Sequence, residues 1–154
     1  MINCAVLTIS DTRTADTDSS GQLIKESLER EGHNLVQYLI LKDEPELIIN
    51  QVKQLSSQDQ VQVIICNGGT GIAPRDTTYE ALEQILEKTL PGFGELFRYL
   101  SYQEIGSRAI ASRAIAGLYR QTLIFSLPGS TKAVKLGMDK LITPEISHLV
   151  QLVK

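Results

Sequence analysis

Residues 61–78 read VQVIICNGGTGIAPRDTT, and this stretch decides how the rest of the chain is interpreted. The apolar run from Val61 to Cys66 is typical of a buried strand, and it leads into a loop with three glycines in four positions. Glycine lets a backbone turn tightly and brings its N–H groups close to a ligand, which suits an anionic or planar molecule. Open α/β sheets bind ligands at the carboxyl ends of their strands, so the loop is a candidate binding site. The competing interpretation is a turn with no further role.

Apolar runs and helical patterns alternate on both sides of this loop. Continuous apolar runs predict strands at 2–9, 34–41, 61–66 and 122–127. Helical patterns begin near Ser20, Pro45, Thr77, Phe93, Ala133 and Thr143. Strands that alternate with helices of this length favour right-handed parallel crossovers. The predicted fold is therefore a single α/β domain over residues 1–154, with three αβα layers, a mostly parallel sheet and helices on both faces.

The composition argues against several classes of protein. A chain of 154 residues with a net charge of −3 and no long basic stripe is not expected to bind nucleic acid. No apolar run approaches the ~20 residues that span a bilayer and no secretory signal is visible, so a cytoplasmic protein without a membrane partner is expected. Cys4 and Cys66 lack C-x-x-C spacing and are predicted core residues, and His33 and His148 form no metal-binding cluster.

Polar residues follow the predicted strands and are expected to meet at one edge of the sheet. They are Ser10 and Asp11, Asp43, the loop from Gly68 to Asp76, and Pro128 to Ser130. Basic residues become more frequent after the glycine loop, with 5 Lys and Arg against 10 Asp and Glu in residues 1–74 but 9 against 7 in residues 75–140. Spaced arginines of this kind are able to hold a small phosphate.

Each candidate residue also has a simpler interpretation. Asp43 has the position of an N-cap for the helix that follows it, and Asp76 can interact with the dipole of the helix at Thr77. The segment from Thr77 to Glu80 has capping-box spacing, and Arg75 fits an ordinary surface residue. The loop matches neither G-x-G-x-x-G nor the P-loop pattern, which disfavours a nicotinamide-binding domain.

Five motifs carry a resemblance to a known family. In chain order they are TISD (8–11), GGTG with RD (68–71 and 75–76), PGFGE (91–95), SRA with AG (112–114 and 116–117) and LPGS (127–130). As a set they resemble the molybdenum cofactor biosynthesis proteins that include MoaB, MogA and the G domains of gephyrin and plant Cnx. The segments around Arg113 and Gly129 look more like the MoaB branch than the MogA branch.

The resemblance implies a molybdopterin-binding fold and an enzyme that transfers AMP from ATP to the terminal phosphate of molybdopterin, with Mg²⁺ as helper and pyrophosphate as product. It implies that Asp43 and Asp76 are catalytic and position the Mg²⁺, an ion that is usually bound by one or two acids and substrate phosphates. The residues implied to bind pterin or nucleotide are Ser10, Asp11, Gly68, Gly69, Thr70, Gly71, Arg75, Pro128, Gly129 and Ser130. A non-catalytic pterin-binding or scaffold protein of the same pathway is the alternative.

The resemblance also implies a homo-oligomer, either a trimer or a hexamer. The predicted interface is an apolar stripe formed by Phe93, Leu96, Phe97 and Leu100. Closed symmetric assemblies of this kind persist at micromolar concentration. Whether the pathway handles molybdenum or tungsten stays open.

Two residues depart from the family pattern. Asn67 stands where a threonine is usual, and Tyr79 stands where the family often has proline, so altered tuning of the site is expected. The Gly69 backbone is expected to approach the ligand, so Gly69→Val is expected to weaken binding while folding survives. Two roles are considered for Arg98, Arg108 and Arg113. They pair with Glu95 or Glu104, or they bind phosphate.

Overall fold

The computed structural model describes all 154 residues and contains six strands and six α-helices. The strands are β1 Asn3–Ile9, β2 Asn34–Leu41, β3 Val63–Asn67, β4 Lys88–Thr89, β5 Ile115–Tyr119 and β6 Thr122–Leu127. The helices are α1 Ser19–Arg30, α2 Pro45–Ser56, α3 Thr78–Ile85, α4 Pro91–Ile105, α5 Thr131–Gly137 and α6 Thr143–Val153. A 3-10 turn, Gly106–Ala111, follows α4, and a short π-helical turn, Met138–Ile142, joins α5 to α6.

One sheet contains all six strands in the order β2-β1-β3-β6-β5-β4. Strands β2, β1, β3 and β6 are parallel, and their carboxyl ends lie at one edge of the sheet. Strand β5 is antiparallel to β6, and β4 is antiparallel to β5. These two strands were not predicted from the sequence. Strand β4 has only two residues. The turn between β5 and β6 lacks the usual Asn-Gly pair, and Arg120 takes the positive φ of 56° there.

Helices cover both faces of the sheet, which confirms the predicted three-layer arrangement. One apolar core packs α1, α4, α5 and α6 against the sheet, and the other packs α2 and α3 against the opposite face. Cys4 belongs to the first core and Cys66 to the second, and burial raises the pKa of each thiol to about 12. Both cysteines are therefore core residues, as predicted.

The predicted apolar stripe on α4 is wrong for three of its four members, since Leu100 is partly buried and packs against the core. Phe93 and Phe97 are buried in the core, where the Phe93 ring lies 5.2 Å from the ring of Phe125. Leu96 is 53% exposed. The exposed apolar surface on and after α4 consists of Leu96, Tyr99, Tyr102, Ile105 and Ile110. None of the helices combines the length and apolar character that crossing a bilayer requires.

Candidate active site

A cleft of about 410 Å³ lies at the carboxyl ends of β1, β3 and β6. Most of the residues implied to bind ligand line it: Ser10, Gly68, Gly69, Thr70, Gly71, Asp76, Pro128 and Gly129. Asp11, Asp43, Arg75 and Ser130 do not line it. A larger cavity of about 490 Å³ lies at the opposite edge of the sheet, beside the start of β6, and it contains none of the predicted site residues.

Two glycines give the loop after β3 its path. Gly68 and Gly69 have φ values of +100° and +71°, a region that favours glycine. A Cβ on Gly68 would collide with the carbonyl oxygen of Ile9, and a Cβ on Gly69 would lie 2.5 Å from Asp43 Oδ2 and closer still to Thr78 Oγ1. Gly69 therefore makes room for the start of α3. This geometry argues against the expectation that folding survives Gly69→Val, because the valine would strain the loop itself.

Arg113 holds the glycine loop through two of its backbone carbonyl groups. Its Nε donates to the carbonyl oxygen of Thr70 at 2.8 Å, and its Nη2 donates to that of Gly71 at 2.6 Å. The guanidinium also pairs with Glu80 and lies over the ring of Tyr79, 4.6 Å from its centroid. Glu80 raises the pKa of Arg113, and Arg113 lowers the pKa of Glu80. Tyr79, one of the two departures from the family pattern, thus supports the arginine that fixes the loop.

These contacts correct two sequence expectations. Arg113 does not pair with Glu95 or Glu104. The capping box at the start of α3 does not form either, because Glu80 pairs with Arg113 and the Thr77 hydroxyl donates to Asp43 Oδ1 at 2.6 Å. Sequence spacing identified the start of the helix but not the partners of its polar side chains.

Asp43 is a buried carboxylate behind the glycine loop. Its Oδ1 accepts from the backbone N–H of Thr77 at 3.1 Å as well as from the hydroxyl. It does not cap α2, whose N-cap is Glu44 without a side-chain hydrogen bond. Burial raises the pKa of Asp43, and the negative charges of Asp76 and Asp11 raise it further. The N-cap interpretation is therefore wrong for α2, although Asp43 does satisfy a backbone donor at the start of α3.

The raised pKa of Asp43 predicts that Asp43→Asn stabilises the fold at neutral pH. The folded state binds the Asp43 proton more tightly than the unfolded state, so ionisation costs stability above the folded pKa and costs nothing below the unfolded value of 3.8. Asparagine removes this cost while its amide oxygen can still accept from Thr77. We expect a melting temperature a few degrees above wild type at pH 7, with the difference shrinking as the pH falls toward 3.8.

Asp11→Asn is the matched control for this measurement. Hydrogen bonds from Arg75 lower the pKa of Asp11, so its charge stabilises the folded state above the unfolded pKa and the contribution is lost on acidification. The Asp11 variant should therefore melt below wild type at pH 7 and approach it at low pH. An Asp43 variant that is less stable than wild type at pH 7 would contradict the assignment.

Arg75 and Asp11 bind each other rather than the cleft. Arg75 Nε and Nη2 donate to the two oxygens of Asp11 at 3.0 and 2.9 Å, and Nη1 donates to Glu44 at 2.8 Å. The two carboxylates raise the pKa of Arg75. The ion pairs tie the segment after the glycine loop to the loop after β1 and to the start of α2. Ligand binding by Arg75 and Asp11 stays a prediction, and so does binding by Ser130, whose Oγ caps α5 by accepting from Ala133 N–H.

Asp76 lies between two depressions in the surface. It lines the cleft at the strand ends, and it also lines a neighbouring cavity of about 280 Å³ formed with the start of α2 and the first turns of α3. Its Oδ2 accepts from the backbone N–H of Ala73 at 3.1 Å. A Cβ on Gly71 would lie 2.5 Å from this same oxygen, so the third glycine makes room for the carboxylate.

A partly buried network that was not predicted from the sequence holds the loop after β6. Arg13 Nη2 and the Ser20 hydroxyl both donate to the carbonyl oxygen of Gly129, at 2.8 and 2.6 Å. Asp18, whose side chain is fully buried, lies 3.7 Å from Arg13, caps α1 through Gly21 N–H and accepts from the Tyr38 hydroxyl at 2.5 Å. The D-x-x-G spacing before α1 was the available signal, since it is typical of a helix N-terminus.

Asn67, the other departure from the family pattern, is fully buried at the end of β3. Its Nδ2 donates to the Thr8 hydroxyl of β1 at 3.0 Å, while its Oδ1 has no hydrogen-bond partner. The side chain joins two strand ends below the cleft and does not line it. The expected tuning of the site would therefore act through the position of the strands.

The side chains offer no preformed cage for a metal ion. No group of three or more His, Cys, Asp and Glu side chains is arranged to bind one. Burial raises the pKa of Asp43, and Asp76 lies close enough for its negative charge to add to this effect. Two carboxylates fit Mg²⁺ that is held mainly by substrate phosphates and water, which is how this ion is commonly bound.

These features define an α/β domain with an anion-compatible cleft, built from a glycine loop and flanked by carboxylates at the carboxyl edge of a parallel sheet. A family model described as "Probable molybdopterin binding domain" matches residues 5–148, and the chain belongs to this family of molybdenum cofactor biosynthesis proteins. The predicted family is thereby confirmed.

Individual relatives agree with this family assignment. The chain is 54% identical over 151 residues to molybdenum cofactor biosynthesis protein B of Halalkalibacterium halodurans, covering 97% of this chain and 89% of that protein. A crystal structure of a molybdenum cofactor biosynthesis protein B superimposes with a TM-score of 0.96 at 48% identity, covering 99% of this chain and 95% of the other. The tungsten cofactor synthesizing protein MoaB from Pyrococcus furiosus gives 0.87 at 35% identity, covering 99% and 96%. The predicted similarity to the MoaB branch is borne out.

Proposed function

We propose that the protein binds molybdopterin in the strand-end cleft and transfers AMP from ATP to the terminal phosphate of the pterin. The observation that carries this proposal is the position of Asp76, which lines both the cleft and the neighbouring cavity. One depression can accept the pterin and the other the nucleotide, so the carboxylate would lie where the two substrates meet. The family description and the relatives' names support molybdopterin as the ligand.

The reaction needs alignment and charge compensation more than a protein nucleophile. A pterin phosphate oxygen attacks the α-phosphorus of ATP, a new P–O bond forms, and the bond to the β-bridging oxygen breaks, so pyrophosphate leaves with the electron pair. Fixed donors around phosphate oxygens stabilise such transition states. The glycine loop, held by Arg113 and by the start of α3, would supply a rigid backbone for this purpose.

Asp43 and Asp76 are the residues that would position Mg²⁺, which when bound offsets the charge of the phosphate oxygens. Asp43 is itself held by two hydrogen bonds from Thr77, and Asp76 by one from Ala73. Burial chiefly raises the pKa of Asp43 and the charge of Asp76 adds to it, and a nearby cation would offset that charge. Both carboxylates are therefore oriented before substrates bind.

A non-catalytic molybdopterin-binding or scaffold protein is the second candidate function. Asp43 does not line the cleft, and its Oδ1 is already bonded to Thr77, which suits a purely structural carboxylate. Pyrophosphate release from molybdopterin and MgATP separates the two functions. Release that requires both substrates supports the transferase, whereas tight molybdopterin binding without release supports the scaffold.

We also propose that the protein is a homo-oligomer, a trimer or a hexamer. Leu96, Tyr99, Tyr102, Ile105 and Ile110 form an exposed apolar surface on and after α4, and Ile110 is 87% exposed. Burying such a surface in a symmetric interface removes apolar area from water. Light scattering at micromolar concentration should give three or six times the 17.0 kDa mass of the chain.

Substitutions test whether this surface forms the interface. Ile110→Arg should reduce the measured mass, because a charge would enter the apolar contact. Leu152→Arg is the control, since Leu152 is 67% exposed on α6, away from the α4 surface. A wild-type mass of a single chain, or equal effects of both substitutions, would contradict this assignment.

A further inference from the structure

Four arginines surround the cleft and the glycine loop, and three of them are already bound by protein groups. Arg13 also lines the cleft; its Nη2 donates to the carbonyl oxygen of Gly129, and its Nη1 makes no hydrogen bond but lies 3.7 Å from Asp18 Oδ1. Arg75 is paired with two carboxylates outside the cleft. Arg113 is bound to two loop carbonyls and to a carboxylate. The charge of each is largely compensated within the protein.

Arg108 is the fourth, and it makes no hydrogen bond or ion pair although it lines the cleft. It lies in the 3-10 turn Gly106–Ala111, whose backbone is fixed at both ends. Gly106 turns the chain with a φ of 66°, Ala109 is buried, and Ser112 N–H donates to the Ala109 carbonyl oxygen at 2.9 Å. An anchored turn therefore presents an uncompensated cation at the wall of the cleft.

An unpaired exposed arginine is usually only a solvated side chain, but the surroundings of Arg108 favour a ligand. The glycine loop and Asp76 line the same cleft as Arg108. A phosphate bound there would meet the negative charge of Asp76 and would need a nearby cation. A guanidinium suits this role because it can donate two parallel hydrogen bonds to phosphate oxygens.

We propose that Arg108 binds a phosphate group of the substrates in this cleft and so contributes to their affinity. The proposal rests on the proposed function for the identity of the substrates, but not on transfer taking place. The phosphate is either the terminal group of molybdopterin or a phosphate of the nucleotide. The two sources share the chemistry and are separated by the choice of ligand in the experiment.

Binding titrations with molybdopterin, with its dephosphorylated form and with AMP test the proposal. Arg108→Gln should weaken binding of one phosphate-bearing ligand on the order of tenfold, whereas the dephosphorylated pterin should bind equally to variant and wild type. Weaker binding of molybdopterin would show that Arg108 binds the pterin phosphate, and weaker binding of AMP would show that it binds a nucleotide phosphate. Arg108→Lys should retain part of the affinity because it keeps the charge but not the paired donors.

Arg120→Gln is the matched control, because Arg120 is exposed in the β5–β6 turn at the opposite edge of the sheet and forms no ion pair. It removes the same charge and should leave all affinities unchanged. Unchanged affinities in Arg108→Gln, equal loss with the dephosphorylated pterin, or no binding of phosphate-bearing ligands to wild type would overturn the proposal. If Arg108→Gln loses affinity only for phosphate-bearing ligands and the wild-type protein releases no pyrophosphate, the transferase function is contradicted but the role of Arg108 is supported.

Discussion

Replacing Asp76 with asparagine is expected to lower the rate of AMP transfer on the order of a hundredfold or more while molybdopterin still binds. Asparagine keeps the size of the side chain and can still accept the hydrogen bond from Ala73 N–H, but it removes one negative charge. Asp76 lines both the cleft and the neighbouring cavity, so in the proposed reaction its charge would act where the reacting phosphates meet. A group that acts mainly in the transition state lowers kcat more than it lowers affinity.

The measurement combines single-turnover adenylylation with pterin binding on the same folded variants. Asp43→Asn should show a similar loss of rate, together with the gain in stability at neutral pH argued above from its raised pKa. Asp59→Asn is the control, because Asp59 lies beside the cavity at the opposite edge of the sheet. Wild-type rates in Asp76→Asn would refute its catalytic role, and an inactive wild-type protein would favour the scaffold.

The layers of the fold and the location of the cleft were predictable because both follow from the local pattern of apolar residues in the strands and helices. β1, β3 and β6 are mostly apolar runs. Because they are parallel, their carboxyl ends lie at one edge of the sheet regardless of the sequences of the loops that follow. The antiparallel strands β4 and β5 were missed because a two-residue strand and a hairpin without a glycine turn leave almost no local signal. Strand β5 is held by pairing with β6, and β4 by pairing with β5, and the sequence pattern does not reveal these partners.

The partners of the charged residues were not predictable, because they are separated by tens of residues in the chain. Arg113 contacts the carbonyl oxygen of Thr70, 43 residues earlier, and Asp43 accepts from Thr77, 34 residues later. Spacing rules reach only three or four residues along a helix, so they suggested a local cap for Asp43 and gave no partner for Arg113. The glycines were easier to interpret, since their positive φ values follow from the tight turn that the motif predicts.

Arg113 shows how these long-range contacts would support function. Two of its hydrogen bonds go to carbonyl oxygens of the loop, and its side chain is only 26% exposed. The loop residues it holds line the cleft, whereas Arg113 itself does not. Its role would therefore be to position the loop rather than to contact ligand. Removing it should loosen the loop and leave both apolar cores intact.

Arg113→Ala is accordingly expected to weaken molybdopterin binding on the order of tenfold or more, because the loop would have to be ordered at the moment of binding. Hydrogen exchange at residues 70–73 should become faster, while exchange in β1 and β3 stays at the wild-type rate. Glu80→Gln is the matched comparison, since it removes the ion pair but leaves both bonds to loop carbonyls, so it should cost much less affinity. If Glu80→Gln and Arg113→Ala are equally impaired, the ion pair rather than the carbonyl contacts fixes the loop. Unchanged exchange and affinity in Arg113→Ala would mean that the glycine loop keeps its shape through Gly68, Gly69 and the start of α3 alone.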